Sequence, residues 1–492
     1  MTGYSIRFRR LAAALALVLP ASLVAPQLAL AAGYDTPMLY SARHMGMGGA
    51  AISYVDDPSA IFHNPAGLAN LKGGAVFGDF SPLVGGIHGS PSDTSVTGTS
   101  GSQSQPGMNI GSERTFAPFF LVGAGYRLHK LLSVGFAAYP VASAGADYKY
   151  SSNVAGPAGT LGEVTDHTKL VFLEFAPSIA VQILEGLNLG VAYRYSTIEF
   201  QRSRTNSDLT GASPSRIDLD MAGKNAAGLR VGLQYVAKMF QLGLVYRNQT
   251  DTTVKTAKGV LTNVAAENVE YGFTLPSKVG LGAQFTGIDK LRLALDAEYT
   301  WQSVNTQTGM VGIMGGALAS QNIKVGPVYN VMNWDNNMTV RAGAAYQIGP
   351  VEARCGYVHD GQASQAKYPS AFGTPPAVTQ VYTVGAGYKI SDALDVSLAG
   401  AYRTGKATVT AADVAGNNCP FCGFAGTYEI NLFGAYVDVL WRFGGKDKAA
   451  AAPAPVAAPA ADLAPASLPA PAPAVEPAPA PSPVPAPGLP QR

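Results

Sequence analysis

The sequence predicts an all-β protein, a 14-stranded antiparallel transmembrane β-barrel with an N-terminal plug in its lumen. Three observations carry that expectation. Apolar and polar residues alternate with a period of two along many segments. Tight, turn-rich breaks alternate with longer stretches rich in Gly, Ser, Thr and Asn. Charged residues make up only 13% of the 492 residues, yet no run of 18 apolar residues follows the first thirty. A spanning helix needs such a run, whereas a barrel strand is apolar on one face only.

Residues 1–31 read as a signal peptide. Arg7, Arg9 and Arg10 form a positive n-region, an apolar stretch starts at Leu11, and Ala29-Leu30-Ala31 is a small-x-small cleavage pattern. The formal charge of +2 includes those three arginines, so the exported chain is close to neutral and gives no reason to expect nucleic acid as a partner.

The alternation is clearest at 291–301. One face carries Leu291, Leu293, Leu295, Ala297, Tyr299 and Trp301, and the other Arg292, Asp296, Glu298 and Thr300. Successive strand side chains point to opposite faces, so Leu293 should meet lipid, and Ala294 should face a lumen, wet or packed by protein, where charge is cheaper. The same pattern recurs at 187–195, 229–235 and 338–348. It places Arg194, Arg230, Arg341 and Arg354 inside and leaves Cys355 outside as a small apolar residue.

Six tight connections fall at 127–131, 184–187, 237–239, 287–290, 349–350 and 391–394. Seven longer segments lie near 85–114, 141–167, 203–224, 252–275, 304–336, 361–379 and 407–426. Together they require fourteen strands, from 74–84 to 427–443, within a barrel domain at 73–443. Short turns on the periplasmic side and long loops outside are the arrangement of the Gram-negative outer membrane. The last strand ends Val437, Val439, Trp441, Phe443 on its outward face. That is the kind of signal barrel-assembly machinery reads, although 49 residues follow it.

Residues 32–72 do not alternate. They hold Gly46, Gly48, Gly49, the pair Asp56-Asp57 and the phrase Asn64-Pro65-Ala66-Gly67, all turn formers. A barrel of fourteen strands cannot fill its own lumen with side chains, so this segment is the expected hatch. Beyond the barrel, 444–492 is Pro/Ala-rich, cannot bury a core and favours an extended periplasmic tail. Cell-wall contact and a passive spacer are both open for it.

With Ala32-Gly33-Tyr34 opening the mature chain, Asp56-Asp57 and Asn64-Pro65-Ala66 following, and strand phrases at 228–249, 276–301 and 333–357, the chain resembles the long-chain fatty-acid transporter and toluene-uptake (FadL/TodX-type) family of outer-membrane proteins over 32–443. The resemblance implies passive uptake of long-chain fatty acids or aromatic or alkane hydrocarbons. In that family the ligand leaves sideways through a gap in the wall beside a kinked third strand. Tyr139-Pro140 is the candidate kink, because Pro removes a ladder donor. The stretch Pro376-Ala377-Val378-Thr379-Gln380 lacks the charged phrase the family often carries there, which leaves a neutral ligand open beside a carboxylate.

Candidate ligand contacts are Tyr34, Met38, Phe62, Asn64 and Pro65 in the hatch, with Arg194, Arg341 and Arg354 as carboxylate partners. The alternatives are plug packing for the first group, and a lumen ion network with Asp296, Glu298 or Glu352 for the arginines. Cys419 and Cys422 suggest a loop disulfide rather than a redox or metal motif, since no second Cys/His cluster accompanies them. No metal or cofactor is expected. Lipid and lipopolysaccharide are the expected surroundings. No GxSxG, HExxH or clustered Ser/His/acid set points to an enzyme. A general porin and a structural or secretion-associated barrel are the rival readings.

Overall fold

A computed structural model of the chain describes residues 37–91, 94–98, 101–105, 110–111, 115–155, 161–206, 215–369, 375–417 and 425–444. The signal peptide, Tyr34, Cys419, Cys422 and all of the tail but Gly444 lie outside the described residues.

Fourteen antiparallel strands form one closed sheet. They are β1 (Gly74–Pro91), β2 (Thr115–His129), β3 (Leu132–Ala155), β4 (Leu161–Leu184), β5 (Leu187–Asn206) and β6 (Ser215–Val236). Four strands then come in two pieces each: β7 (Phe240–Arg247, Thr250–Leu261), β8 (Val264–Leu275, Lys278–Ile288), β9 (Leu291–Thr300, Gln307–Met314) and β10 (Lys324–Val331, Asn337–Ile348). The wall ends with β11 (Val351–Asp360), β12 (Thr379–Lys389), β13 (Leu394–Val409) and β14 (Gly426–Phe443). Closure runs through β1, which pairs with β14 from Gly74↔Phe443 to Pro91↔Gly426 and with β2 from Gly74↔Tyr126 to Gly85↔Thr115. Among the described residues no helix is long and apolar enough to cross a membrane.

The six tight turns fall where the sequence puts them. Gly186 and Gly349 take left-handed φ values of 75° and 59° there, a conformation that costs other residues steric strain. The far ends differ from expectation. Much of 141–167, 203–224, 252–275 and 304–336, read as loop, is strand. Polar residues at those ends sit on strands that have risen past the apolar belt, so composition there reports water rather than irregular backbone.

Around the short-turn half the outward face is a belt of exposed apolar side chains, including Leu242, Leu281, Leu295, Val384, Val437 and Trp441. Its inward partners are small or polar, such as Gln234, Gln241 and Asp438. Nearer the far end the faces exchange character. Phe172, Phe200, Leu219, Val254, Tyr271 and Phe273 are buried inside, while Asp220, Lys224, Lys255 and Glu270 lie outside in water. Part of the exchange is built by steps in the backbone. Inward residues in β6 are even-numbered at 228–234 and odd-numbered at 219–221. The change follows a register slip opposite β5 between Gly228 and Asn225. In β7 and β8 the two-residue breaks Asn248-Gln249 and Pro276-Ser277 do the same.

One seam of the wall is incomplete. Paired residues of β2 and β3 run from His129↔Leu132 to Val122↔Ala138. Beyond that, among the described residues, 115–121 of β2 pair with β1 but not with β3. Just past the seam's end β3 carries a bulge. Its ladder to β4 slips by one residue between Pro140 and Ala142, leaving Val141 extra.

The segment before β1 lies against the inward faces of the strands. It has two single-turn helices, α1 (Ala42–Met45) and α2 (Ala60–His63), and a 3-10 helix at Pro65–Asn70. Its apolar residues share one core with the wall, in which Met45, Ile61 and Leu68 meet wall residues such as Leu121 and Tyr139. Ala294 lies on the face that the parity gives it. It faces inward and packs on Met47 and Ala50, so of the two surroundings expected for it, wet or packed by protein, it has the second.

Candidate functional site

The wall meets the N-terminal segment through polar groups on strands spread round the barrel. Asp438 of β14 accepts from Ser41 Oγ at 2.7 Å and from the Arg43 amide at 3.1 Å. Asp296 of β9 accepts from the amides of Ala51 and Ile52 at 2.7 and 2.9 Å. Thr383 of β12 accepts from the Gly48 amide at 3.0 Å. Asn64 donates to the Ile52 carbonyl at 2.8 Å and to the Leu233 carbonyl of β6 at 3.1 Å, while its side-chain oxygen caps the Ala66 amide. Pro65 follows as the first residue of the 3-10 helix, where its fixed φ and missing N–H cost nothing.

Glycines in the wall make this contact close. A Cβ on Gly232 would stand 1.9 Å from Asn64 Oδ1, and one on Gly356 would stand 2.1 Å from the Gly48 nitrogen. Both are mid-strand and inward-facing, where glycine otherwise weakens a strand. Sequence reasoning missed them. The available signal was glycine at lumen-parity positions.

Within the segment, Arg43 pairs with Asp56 at 2.5 Å and with Asp57 at 3.3 Å. Burial pushes the Asp57 carboxyl up. His44, Arg43 and Ser59 outweigh burial and hold it well below the usual carboxylate range. Burial lowers His44 and His63 below their ordinary value of 6.5.

Between this segment and the wall is a cavity with two kinds of lining. Its apolar side is made by Met38, Tyr40 and Phe62 of the segment with Val141 and Val245 of the wall. Its other side is charged. Arg230, Arg247 and Lys278 line it in successive strands, and Arg247 stands directly opposite both Arg230 and Lys278 in the ladders. Like charges so placed repel. Arg230 donates to the Ile61 and Phe62 carbonyls and lies 4.9 Å over the Phe62 ring, and Arg247 donates to the Pro276 carbonyl at 3.0 Å. Glu298 balances part of the row, 3.9 Å from Lys278 and ion-paired with Arg341.

Of the residues singled out in the sequence, Met38, Phe62 and Arg341 come together at this cavity. Asn64 and Pro65 lie in the seam between segment and wall. Arg194 is buried with Glu174, its Nε 2.9 and 3.1 Å from the two carboxylate oxygens. Arg354 pairs with Glu352 at 2.6 Å. Tyr139 and Pro140 stand at the end of the incomplete β2–β3 seam, with Tyr139 fully buried. Tyr40, Val141, Arg247 and Lys278 were not foreseen. Arg247 was within reach, because Leu242, Leu244 and Tyr246 fix its parity.

The family model for the outer membrane protein transport proteins (OMPP1/FadL/TodX) matches residues 22–437. The chain belongs to this family. Solved structures of FadL/TodX proteins share its fold. A Pseudomonas aeruginosa FadL homologue superposes with a TM-score of 0.63 at 13% identity, over 83% of this chain and 99% of the other. The Pseudomonas putida toluene transporter TodX gives 0.61 at 14% identity over 83% and 99%. The Ralstonia pickettii toluene transporter TbuX gives 0.56 at 17% over 84% and 98%. No curated protein sequence matches the chain. Like other FadL/TodX members it is an outer-membrane transport protein, and its apolar belt is the surface that meets lipid.

Proposed function

We propose that the protein is a passive channel through which hydrophobic small molecules, long-chain fatty acids or aromatic or alkane hydrocarbons, cross the outer membrane and leave sideways through the wall. The observation that carries this reading is the unpaired stretch of β2 beside the bulge at Val141, because Val141 also lines the cavity. An apolar solute that leaves by that seam enters lipid without crossing water. Residues 32–72 act as a hatch that closes the lumen to ions and sugars, a reading supported by the anchoring of Ser41, Gly48, Ala51 and Asn64 from four different strands. The cavity suits an amphiphile, with an apolar body against Met38, Phe62 and Val245 and an acidic head toward the Arg230–Arg247–Lys278 row, and a neutral aromatic can use the apolar side alone.

The test is uptake by cells that lack the native protein and carry the wild type or a Val141 deletion, which restores an unbroken β3 register. Wild type should import a hydrophobic solute and leave small-sugar uptake unchanged, and the deletion should abolish the hydrophobic uptake. Equal import of sugars would favour a general pore. Unimpaired hydrophobic uptake after the deletion would rule out exit through this seam.

A further inference from the structure

Tyr40 of the N-terminal segment touches both sides of the interrupted seam and lines the cavity. Its ring lies 6.1 Å from Phe119, in the part of β2 not paired with β3, and 6.1 Å from Tyr139, in the part of β3 not paired with β2. Its hydroxyl donates to the carbonyl of Pro140, at the bulge. The same ring lines the cavity and is 4% exposed. Phe62 packs on it edge-on at 4.9 Å and also meets Tyr139 at 5.2 Å, and Arg230 lies over the Phe62 ring.

We infer that Tyr40 is the gate between the cavity and the seam, held shut by its hydrogen bond to Pro140, and that its displacement sets the rate and the size limit of passage. This rests on the lateral route proposed above. Tyr40 lines the cavity and packs on both Phe119 and Tyr139, so its ring stands between a solute held there and this part of the seam. A phenol held by one neutral hydrogen bond and edge-on aromatic contacts is retained weakly enough to swing aside. It belongs to the segment rather than the wall, so it can move while both strands keep their ladders to β1 and β4. A packing role alone makes the opposite forecast, because trimming a packed side chain loosens the segment and does not speed one step of transport.

The test compares initial uptake rates of radiolabelled toluene and radiolabelled oleate for wild type, Tyr40→Phe, Tyr40→Ala and each variant combined with the Val141 deletion. Folding of every barrel is checked by its heat-dependent shift on gels. Tyr40→Phe keeps the ring and loses the hydroxyl, and should raise the rate about fivefold, the factor for one neutral hydrogen bond. Tyr40→Ala should raise it at least as much, more for oleate than for toluene, and the Val141 deletion should cancel both gains. Folded Tyr40→Phe and Tyr40→Ala proteins that transport at or below the wild-type rate overturn the gate while the deletion still blocks uptake. Uptake that survives the deletion overturns the lateral route and the gate together.

Discussion

The two halves of β6, β7 and β8 are built from one sheet and obey opposite rules. In the short-turn half Leu242, Leu281 and Tyr235 point out and Gln234, Gln241 and Gln284 point in. In the far half Leu219, Val254 and Phe273 point in, and Asp220 and Lys255 point out. What changes between them is the solvent. Lipid outside and protein inside give way to water outside and a dry aromatic lining inside. Alternation therefore reports which side is apolar, not which side is interior. Parity carried across the steps at 225–228, 248–249 and 276–277 puts every later residue on the wrong face.

The largest effect should come from the far half. Phe273→Ala removes a buried ring packed on Tyr271, Phe200 and Phe172, and should cost about 3–5 kcal/mol of unfolding free energy in denaturant titrations in lipid. A cost as small as that of a surface mutation would remove the dry lining from the comparison. Next is Leu295→Arg in the other half, 55% exposed on the outward belt. It should cost about 2–4 kcal/mol in lipid, while Thr253→Arg, outward in the far half, should stay within about 0.5 kcal/mol. Equal costs at the two outward positions would mean both halves meet the same solvent.

A smaller effect should separate the halves by pH. His44 and His63 are held below 6.5 chiefly by burial, with Asp57, Arg43, Arg230 and Arg292 as their charged surroundings. A released segment therefore takes up protons that the docked one does not. Docking is fully supported above pH 6.5 and loses stability as pH falls through the lowered values. Asp57, held low, adds a further loss in stronger acid. Hydrogen-exchange protection at 41–70, corrected for intrinsic rate, should fall between pH 7.5 and 5.5 while that at 252–273 holds. His44→Gln with His63→Gln should flatten the difference. Parallel loss in both regions would break it.

The short-turn half was legible in the sequence because lipid imposes a strict pattern there. The six turns, the strand count and the inward arginines all follow from period two and turn chemistry. The far half was not legible as strand, since its outward residues are the polar types that also make loops. At the site, parity found Arg194 and Arg341 but not all their partners. Glu298 takes Arg341 as the pattern allowed, Glu174 rather than Asp296, Glu298 or Glu352 takes Arg194, and Asp296 serves the amides of Ala51 and Ile52. Which inward group meets which residue of the N-terminal segment depends on how an irregular chain lies in space, and periodicity carries none of that information.

The bare backbone at Gly190, Gly232, Gly243, Gly343 and Gly356 makes the wall a mould whose relief is the N-terminal segment in negative. A mould fits one casting. Side chains added to these strands to make them better strands in isolation would evict the segment. The wall is thus held below the strand stability its sequence could reach, and it recovers the shortfall only with the segment before β1 in place. A barrel that closes before this segment docks encloses bare backbone where the segment belongs.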